Sequence, residues 1–496
     1  MYNLGIDIGS SSIKVALVEA ISGKQLHTVK EPEQEMDIIA RKPGWAEQDP
    51  ELWWKHTCLA IKRLLKVAKI NPDQVTSIGI AYQMHGLVVV DETGAPLRNA
   101  IIWCDSRAVE IGNDLFLQLG KEKCSQTLLN SPGNFTLSKL RWVQAHEPQI
   151  FSKIHKFMLP GDYIAWKLTG KFATTANGLS EGICWDYQEN KVAHWIFETL
   201  SIPLEITPEI VPNFTNQGTI TKQASIETGL GAKAKVMYRA GDQPNNALAL
   251  NILHPGEVAA TAGTSGVLYA VTDTLKTKET VRINSFAHVN YSPLTPNLGK
   301  LLCINGTGIQ YRWLKDFSEF KSYELMNIAA EKIAIGADGV VVLPFGNGAE
   351  RMFNNATLDS HICNLNVNIH KKEHVCRATL EGIAFAFVYG MELLKEDEAT
   401  IHVIRAGNDN LFRSNIFSQT IATLTGHDIE IYNTTGAIGA ARAAGVKNGD
   451  FNTFSQHSIK NDYLKTYTPA KNKTPYSKAY MHWRNQLNTI LEQKKR

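Results

Sequence analysis

This chain writes one phrase twice, about half its length apart, and the duplication limits the folds open to it. Near the start stands Ile6-Asp7-Ile8-Gly9-Ser10-Ser11-Ser12-Ile13-Lys14, and in the middle stands Ala259-Ala260-Thr261-Ala262-Gly263-Thr264-Ser265-Gly266-Val267. Each is an apolar run, a Gly followed by hydroxyl residues, and a second β-rich run (15–18 and 267–271), the pattern of a β-hairpin with a tight turn. Gly lets successive backbone N–H groups turn toward one point, and Ser/Thr hydroxyls add donors, so such a turn can cradle phosphate oxygens. One Gly-Ser-Ser turn alone reads as a hairpin turn and nothing more. Two of them, facing each other, describe a duplicated core that grips a polyphosphate from both sides.

Length and charge then exclude other classes. With 496 residues, 44% hydrophobic and 20% charged, the chain can bury the cores of two domains or three. A net charge of +3 makes no case for a nucleic-acid partner, and the basic end Lys494-Lys495-Arg496 reads as cations at a helix C-terminus. The seven cysteines are odd in number, scattered and never spaced C-x-x-C, so they read as reduced, mostly buried thiols with no zinc site. Met1 leads into a strand with no basic-apolar leader, and no apolar run reaches membrane length; the expected location is the cytoplasm, with no membrane partner.

The first half alternates strands (5–17, 77–81, 87–90) with a helix over 50–68, the alternation of an α/β layer structure. That helix opens with Asp49-Pro50 and places Leu52, Trp53, Ile61, Leu64 and Leu65 on one face, which makes Trp53-Trp54 packing residues. A second series begins near Gly241, with strands around 259–271, 339–343 and 401–404 and helices around 373–395 and 415–425. A Pro-spaced stretch (Pro203, Pro208, Pro212) precedes it. The expected domains are therefore 1–240 and 241–496, meeting across a wide cleft, with a last helix (476–491) free to pack back on the first domain.

Three further clusters carry chemistry. Gln83-Met84-His85-Gly86 lies between two apolar strands, where a turn presents His85; alone, it reads as a structural histidine. Gly241-Asp242-Gln243-Pro244-Asn245-Asn246 follows an apolar stretch and precedes small helical residues, so Asp242 is either an N-cap or a general base at a strand end. Asn305-Gly306-Thr307-Gly308-Ile309-Gln310 and Ala406-Gly407-Asn408-Asp409-Asn410 offer glycines beside which a flat purine can lie and amides to bond its edge.

In order along the chain, Gly44-Trp45-Ala46-Glu47-Gln48-Asp49-Pro50, Gln83-Met84-His85-Gly86, Ile102-Trp103-Cys104-Asp105-Ser106-Arg107, Phe135-Thr136-Leu137-Ser138-Lys139-Leu140-Arg141-Trp142-Val143, Leu159-Pro160-Gly161-Asp162-Tyr163 and Gly263-Thr264-Ser265-Gly266 resemble the motifs of the FGGY carbohydrate kinases, most closely its xylulose-phosphorylating members. The resemblance spans nearly the whole chain. It implies two ribonuclease-H-like domains of the actin and hexokinase type around a central cleft, sugar bound mainly by the first and ATP by the second. It implies Asp242 as the base, Asp7 as the Mg²⁺-associated carboxylate acting through water, and sugar contacts at Gln83, Met84, His85, Trp103, Asp242 and Gln243. It places nucleotide contacts at Gly9, Ser10, Ser11, Ser12, Gly263, Thr264, Ser265, Gly306, Gln310, Gly407 and Asn410.

The implied activity is transfer of the γ-phosphoryl group of ATP to D-xylulose, giving D-xylulose 5-phosphate, with homodimerisation left open. Gln243 stands where the xylulose-specific members carry Asn, and it is the glycerol-kinase choice, so ribulose and glycerol stay open as substrates. Arg405-Ala406-Gly407 replaces the usual Gly-Gly-Gly of the adenosine segment. Chaperones, filaments and non-catalytic sensors share the architecture, but they have no use for a base aimed at a sugar hydroxyl.

Overall fold

The computed structural model describes residues 1–447 and 449–495. Arg496, one of the three basic residues expected to close the last helix, lies outside them. The first phrase folds into β1 (Tyr2–Ile8) and β2 (Ile13–Glu19), antiparallel, with Ile8 opposite Ile13 and Asp7 opposite Lys14. Gly9-Ser10-Ser11-Ser12 is therefore the turn, closed by Gly9 N–H donating to Ser12 O at 3.1 Å. β3 (Gln25–Glu31), β4 (Val75–Tyr82), β5 (Phe214–Thr219) and β6 (Lys235–Gly241) complete a sheet of order β5-β6-β4-β1-β2-β3.

The second phrase folds the same way. β7 (Glu257–Ala262) and β8 (Gly266–Thr272) pair with Ala262 opposite Gly266, turning at Gly263-Thr264-Ser265. With β9 (Asn284–Ala287), β10 (Leu298–Ile304), β11 (Val403–Gly407), β12 (Asp428–Tyr432) and β13 (Tyr463–Tyr467) they form a sheet of order β9-β10-β8-β7-β11-β12-β13. The runs β3-β2-β1-β4-β6 and β10-β8-β7-β11-β12 share order and direction: two antiparallel pairings followed by two parallel ones. The written repeat is thus the visible part of a duplicated fold.

Six helices shape the cleft and its surroundings: α1 (Pro50–Ala68), α2 (Ala176–Glu181), α3 (Asp242–Ala249), α4 (Gly308–Phe317), α5 (Gly436–Ala443) and α6 (Thr474–Lys495). α1 starts where Asp49 accepts a hydrogen bond from Glu51 N–H, and it buries Trp53, Trp54, Ile61 and Leu64 against Ile13, Val15 and Leu17 of the first sheet. The opposite face of that sheet, Ala16 and Val18, receives Ala437, Ile438 and Ala441 of α5. The seat exists because Gly5 and Gly79 stand side by side on β1 and β4. A Cβ on Gly5 would lie 1.9 Å from Ala437 O, and one on Gly79 2.0 Å from Ala440 O, distances only Gly avoids. α3, issuing from the last strand of the first run, packs in turn on α5, β7 and β8. Each half therefore sends the helix after its fifth duplicated strand into the other.

A second bond between the halves is apolar. One buried cluster holds Met84 and Phe135 from the first half with Tyr269, Phe286 and Tyr432 from the second, so the cleft has a packed floor. α6 does not return to the first half. Trp483 and Leu487, one turn apart, enter the second-half core beside Phe345 and Phe385, and Trp483 Nε1–H donates to Val342 O at 3.0 Å. All seven cysteines are unpaired, Cys58, Cys124, Cys184 and Cys376 being buried and Cys104 exposed. No helix among the described residues is long and apolar enough to cross a membrane.

Candidate active site

Asp242 is the first residue of α3, Gly241 holds the cap position, and no side-chain cap hydrogen bond is made. Asp242 thus lies one position inside the cap, where its carboxylate meets the backbone and side chain of Gln243. Burial pushes its pKa up to about 7, and the charge of Asp7 adds to the rise; Gln243, through backbone and side chain, opposes it. Asp7, at the end of β1, is likewise raised by burial, with Lys14 across the strand pair as partial compensation at 3.9 Å. Lys14 is thus half-exposed yet faces Asp7. Burial beside a second carboxylate raises a carboxyl toward neutrality, and a pKa near the working pH suits a general base.

Asp7 Oδ2 and Asn246 Oδ1 converge on the start of α5: a Cβ on Gly436 would lie 3.0 Å from the first and 2.8 Å from the second. Asn245 Nδ2 donates to Gly436 O at 2.9 Å, and Tyr238 Oη donates to Asn245 Oδ1 at 3.2 Å, latching α5 to α3. Aligning Gly9 with Gly263 puts Thr261 where the first hairpin has Asp7, so the duplication copied the turn and kept the carboxylate in one half only.

The segment after β4 supplies the other wall. Met84 is buried against Gly241, where a Cβ would come within 2.5 Å of Met84 Cγ. His85 adopts a left-handed backbone, φ +62°, and its ring packs edge-on against Phe135 at 4.6 Å and near Phe286 of the second half at 5.3 Å. Its Nδ1 lies 3.1 Å from the carbonyl oxygen of Glu181. A carbonyl only accepts, so Nδ1 carries the proton and Nε2 is left as an acceptor. Burial, with Lys139 nearby, lowers the imidazole to about 3, so the ring is neutral near pH 7. The Nζ of Lys139 donates to His85 O at 2.8 Å.

Not every expected sugar contact faces the cleft. Gln83 is buried behind it, its Nε2 toward Gln48 Oε1 at 3.4 Å, and Gln48 Nε2 donates to Ser10 O at 2.6 Å; the pair backs the first turn. Trp103 is 53% exposed, and its Nε1–H points to Ser10 Oγ at 3.4 Å, standing over that turn. Ser11 O accepts from Met36 N–H and Ser12 is buried, so two of the three serines are tied into the fold.

Beside the second turn lies a cavity of about 570 Å³, lined among others by Gly263, Thr264, Gly308, Tyr311, Tyr323, Asn327, Asn410 and Arg413. Of the residues expected to meet the nucleotide, Gly263, Thr264 and Asn410 line this cavity and Gly306, Gln310, Gly407 and Ser265 do not. Gly306 is pressed on Pro344, whose carbonyl oxygen would be 1.8 Å from a Cβ there, and Gln310 is buried. That segment braces the turn instead, since Gly308 and Ile309 N–H donate to the carbonyls of Gly263 and Thr264 at 3.0 and 3.1 Å and fix it from behind. Gly407 lies against the Asp409 carboxylate. The stacked pair Tyr311–Tyr323, centroids 5.6 Å apart, and Arg413 carry no motif in the sequence: the tyrosines meet only when two successive helices fold together, and Arg413 joins them from about ninety residues on. Glu181 was also missed; nothing in Leu179-Ser180-Glu181-Gly182-Ile183 marks it locally.

Two duplicated sheets of ribonuclease-H-like order, exchanging helices and closing on a cleft with a buried carboxylate pair, make this a two-domain protein of the actin and hexokinase architecture. The sequence profile of the FGGY family of carbohydrate kinases, N-terminal domain, matches residues 2–249, and that of its C-terminal domain matches residues 258–447. The chain belongs to this family and is a carbohydrate kinase. It is 27% identical to the xylulose kinase of Bacillus subtilis (strain 168) over 509 residues, covering 99% of both chains, and 28% identical to that of Escherichia coli (strain K12) over 454 residues, covering 90% and 89%. Its fold is shared with xylulose kinase from Rhodospirillum rubrum (TM-score 0.89, 24% identity, all of both chains) and with Plasmodium falciparum glycerol kinase with ADP (TM-score 0.87, 21% identity, 99% and 98% covered).

Proposed function

We propose that the chain transfers the γ-phosphoryl group of ATP to D-xylulose, giving D-xylulose 5-phosphate. The observation that carries this reading is the Asp242 carboxylate, buried near Asp7, raised to about 7 and following Gly241, which packs on Met84 of the Met84-His85 wall. The near-full-length similarity to proteins named xylulose kinase supports the choice of sugar.

A sugar hydroxyl is a weak nucleophile and ATP is highly charged, so the site must align the two and offset the charge that develops. Asp242 takes the hydroxyl proton as transfer proceeds. His85 Nε2 accepts a hydrogen bond from a second hydroxyl and so fixes the ring or chain of the ketose. The Gly9–Ser12 and Gly263–Ser265 turns hold phosphate oxygens from opposite sides, and the cavity beside the second turn takes the nucleoside. Asp7 and Asn246 offer hard oxygen donors at a point where two buried carboxylates are met by one half-exposed Lys14, a donor set that fits Mg²⁺. Bound there through water, Mg²⁺ would neutralise phosphate charge. In this division of labour residues 1–240 serve mainly the sugar, joined by Asp242 and Gln243 from just beyond them, and 241–496 serve mainly the nucleotide.

Gln243 favours a second reading, a kinase for ribulose or glycerol, because its amide touches the base where a sugar hydroxyl must also sit. Replacing Asp242 with Asn tests the reaction itself. Turnover of saturating D-xylulose should fall by ~10²–10⁴ with ATP affinity unchanged, since shape is kept and the proton acceptor is lost. Retention of more than about a third of wild-type turnover would move the base elsewhere.

A further inference from the structure

We propose that Glu181 is the positioning residue that sets His85 for sugar recognition, an inference that rests on the reading of His85 as a sugar contact. Glu181 is the last residue of α2, and its side chain is 2% exposed. It grips His85 twice. The Oε2 atom accepts from the His85 backbone N–H at 3.2 Å, and the main-chain carbonyl accepts from Nδ1–H at 3.1 Å.

Both contacts follow from position in the chain. The carbonyl is free because the last carbonyls of a helix have no partner within it. The carboxylate reaches the backbone of His85 because that residue is in the left-handed conformation, φ +62°, which a non-Gly residue holds only when its surroundings enforce it. Oε2 would also lie 3.2 Å from a Cβ on Gly241, the residue before the base. One carboxylate therefore meets the sugar loop and the base segment at a single point. Its other oxygen, Oε1, is buried on the side of the Tyr82 hydroxyl, away from His85.

Glu181 acts through His85, so removing it should misplace Nε2 and leave the nucleotide side alone. The test compares wild type, Glu181→Ala, Glu181→Gln, His85→Ala and the Glu181→Ala/His85→Ala pair in the full chain. Calorimetric sugar affinity and both Michaelis constants are measured for each. The wild-type titration comes first with D-xylulose; if it binds ribulose or glycerol instead, the sugar assignment has failed and the same comparison proceeds with the sugar bound best.

Glu181→Ala should raise the sugar Kd and KM about tenfold or more with the ATP KM within about twofold. Glu181→Gln, which keeps an oxygen toward the His85 N–H, should recover to within about threefold of wild type. The pair should be no worse than His85→Ala alone, as for two residues acting through one contact. If Glu181→Ala does not fold, Glu181→Asp, which withdraws the carboxylate by one methylene, carries the same expectation. Equal losses for sugar and ATP, additive losses in the pair, or no rescue by Gln would overturn the proposal.

Discussion

At the scale of single residues the chemistry turns on burial. Asp242 sits near 7 because the fold withholds water from it and places Asp7 nearby, so it is protonated below that pH and a competent base above it. The value of kcat/KM for the sugar should therefore rise with a slope of one through about pH 7, and a profile flat from pH 5.5 to about 8.5 would contradict the role. The same shift has a cost for the fold. A carboxyl whose folded pKa exceeds its unfolded value contributes stability at acid pH that is lost as pH climbs through the folded value. In chelator, Asp242→Asn should accordingly gain Tm over wild type at pH 8 and gain less at pH 4.5; an equal difference at both would show the carboxylate to be unshifted. Asp242 was legible as one of two things, cap or base, because its neighbours Gly241 and Pro244 mark a helix start. Glu181 was illegible because a buried carboxylate declares itself only by what surrounds it, and His85 is 96 residues away in the chain.

At the scale of elements, local pattern was read well and long-range pairing was not. The helix over 50–68 has the bounds its Asp49-Pro50 start and apolar face dictate, and both hairpins turn at the Gly-hydroxyl residues, since each is decided within a dozen residues. The Gly306–Gln310 segment looked like a purine seat because glycine permits close approach to anything; here the neighbour is Pro344 and the hairpin turn. α6 likewise took its partner from Trp483, whose burial site no local periodicity announces. The close seat of α5 makes its own prediction. Gly79→Ala drives a Cβ to 2.0 Å from Ala440 O, a backbone atom that cannot swing aside. Overpacking of this kind costs about 1–3 kcal/mol, so Tm should drop by roughly 2 °C or more in a thermal melt. An unchanged Tm would mean the helix does not pack as described.

At the scale of the whole molecule, duplication explains the architecture and its asymmetry explains the chemistry. Both halves retain the hairpin turn; the first adds Asp7 and the Met84-His85 wall, and the second adds the large cavity beside Gly263. The exchanged helices α3 and α5 put Asp242 and Gly436 at the meeting point of the halves, where the proposed reaction would bring sugar and phosphate together and keep water out. The duplicated core was legible because a hairpin repeats its own signature; the exchange was not, because it depends on glycines that only a facing helix explains. The choice of substrate is a property of the closed whole, and one panel measures it: sugar-dependent ADP release with D-xylulose, D-ribulose and glycerol. D-xylulose should show the highest kcat/KM, by roughly tenfold to a hundredfold, a margin narrowed by Gln243 beside the base. A higher kcat/KM for ribulose or glycerol would contradict the assignment.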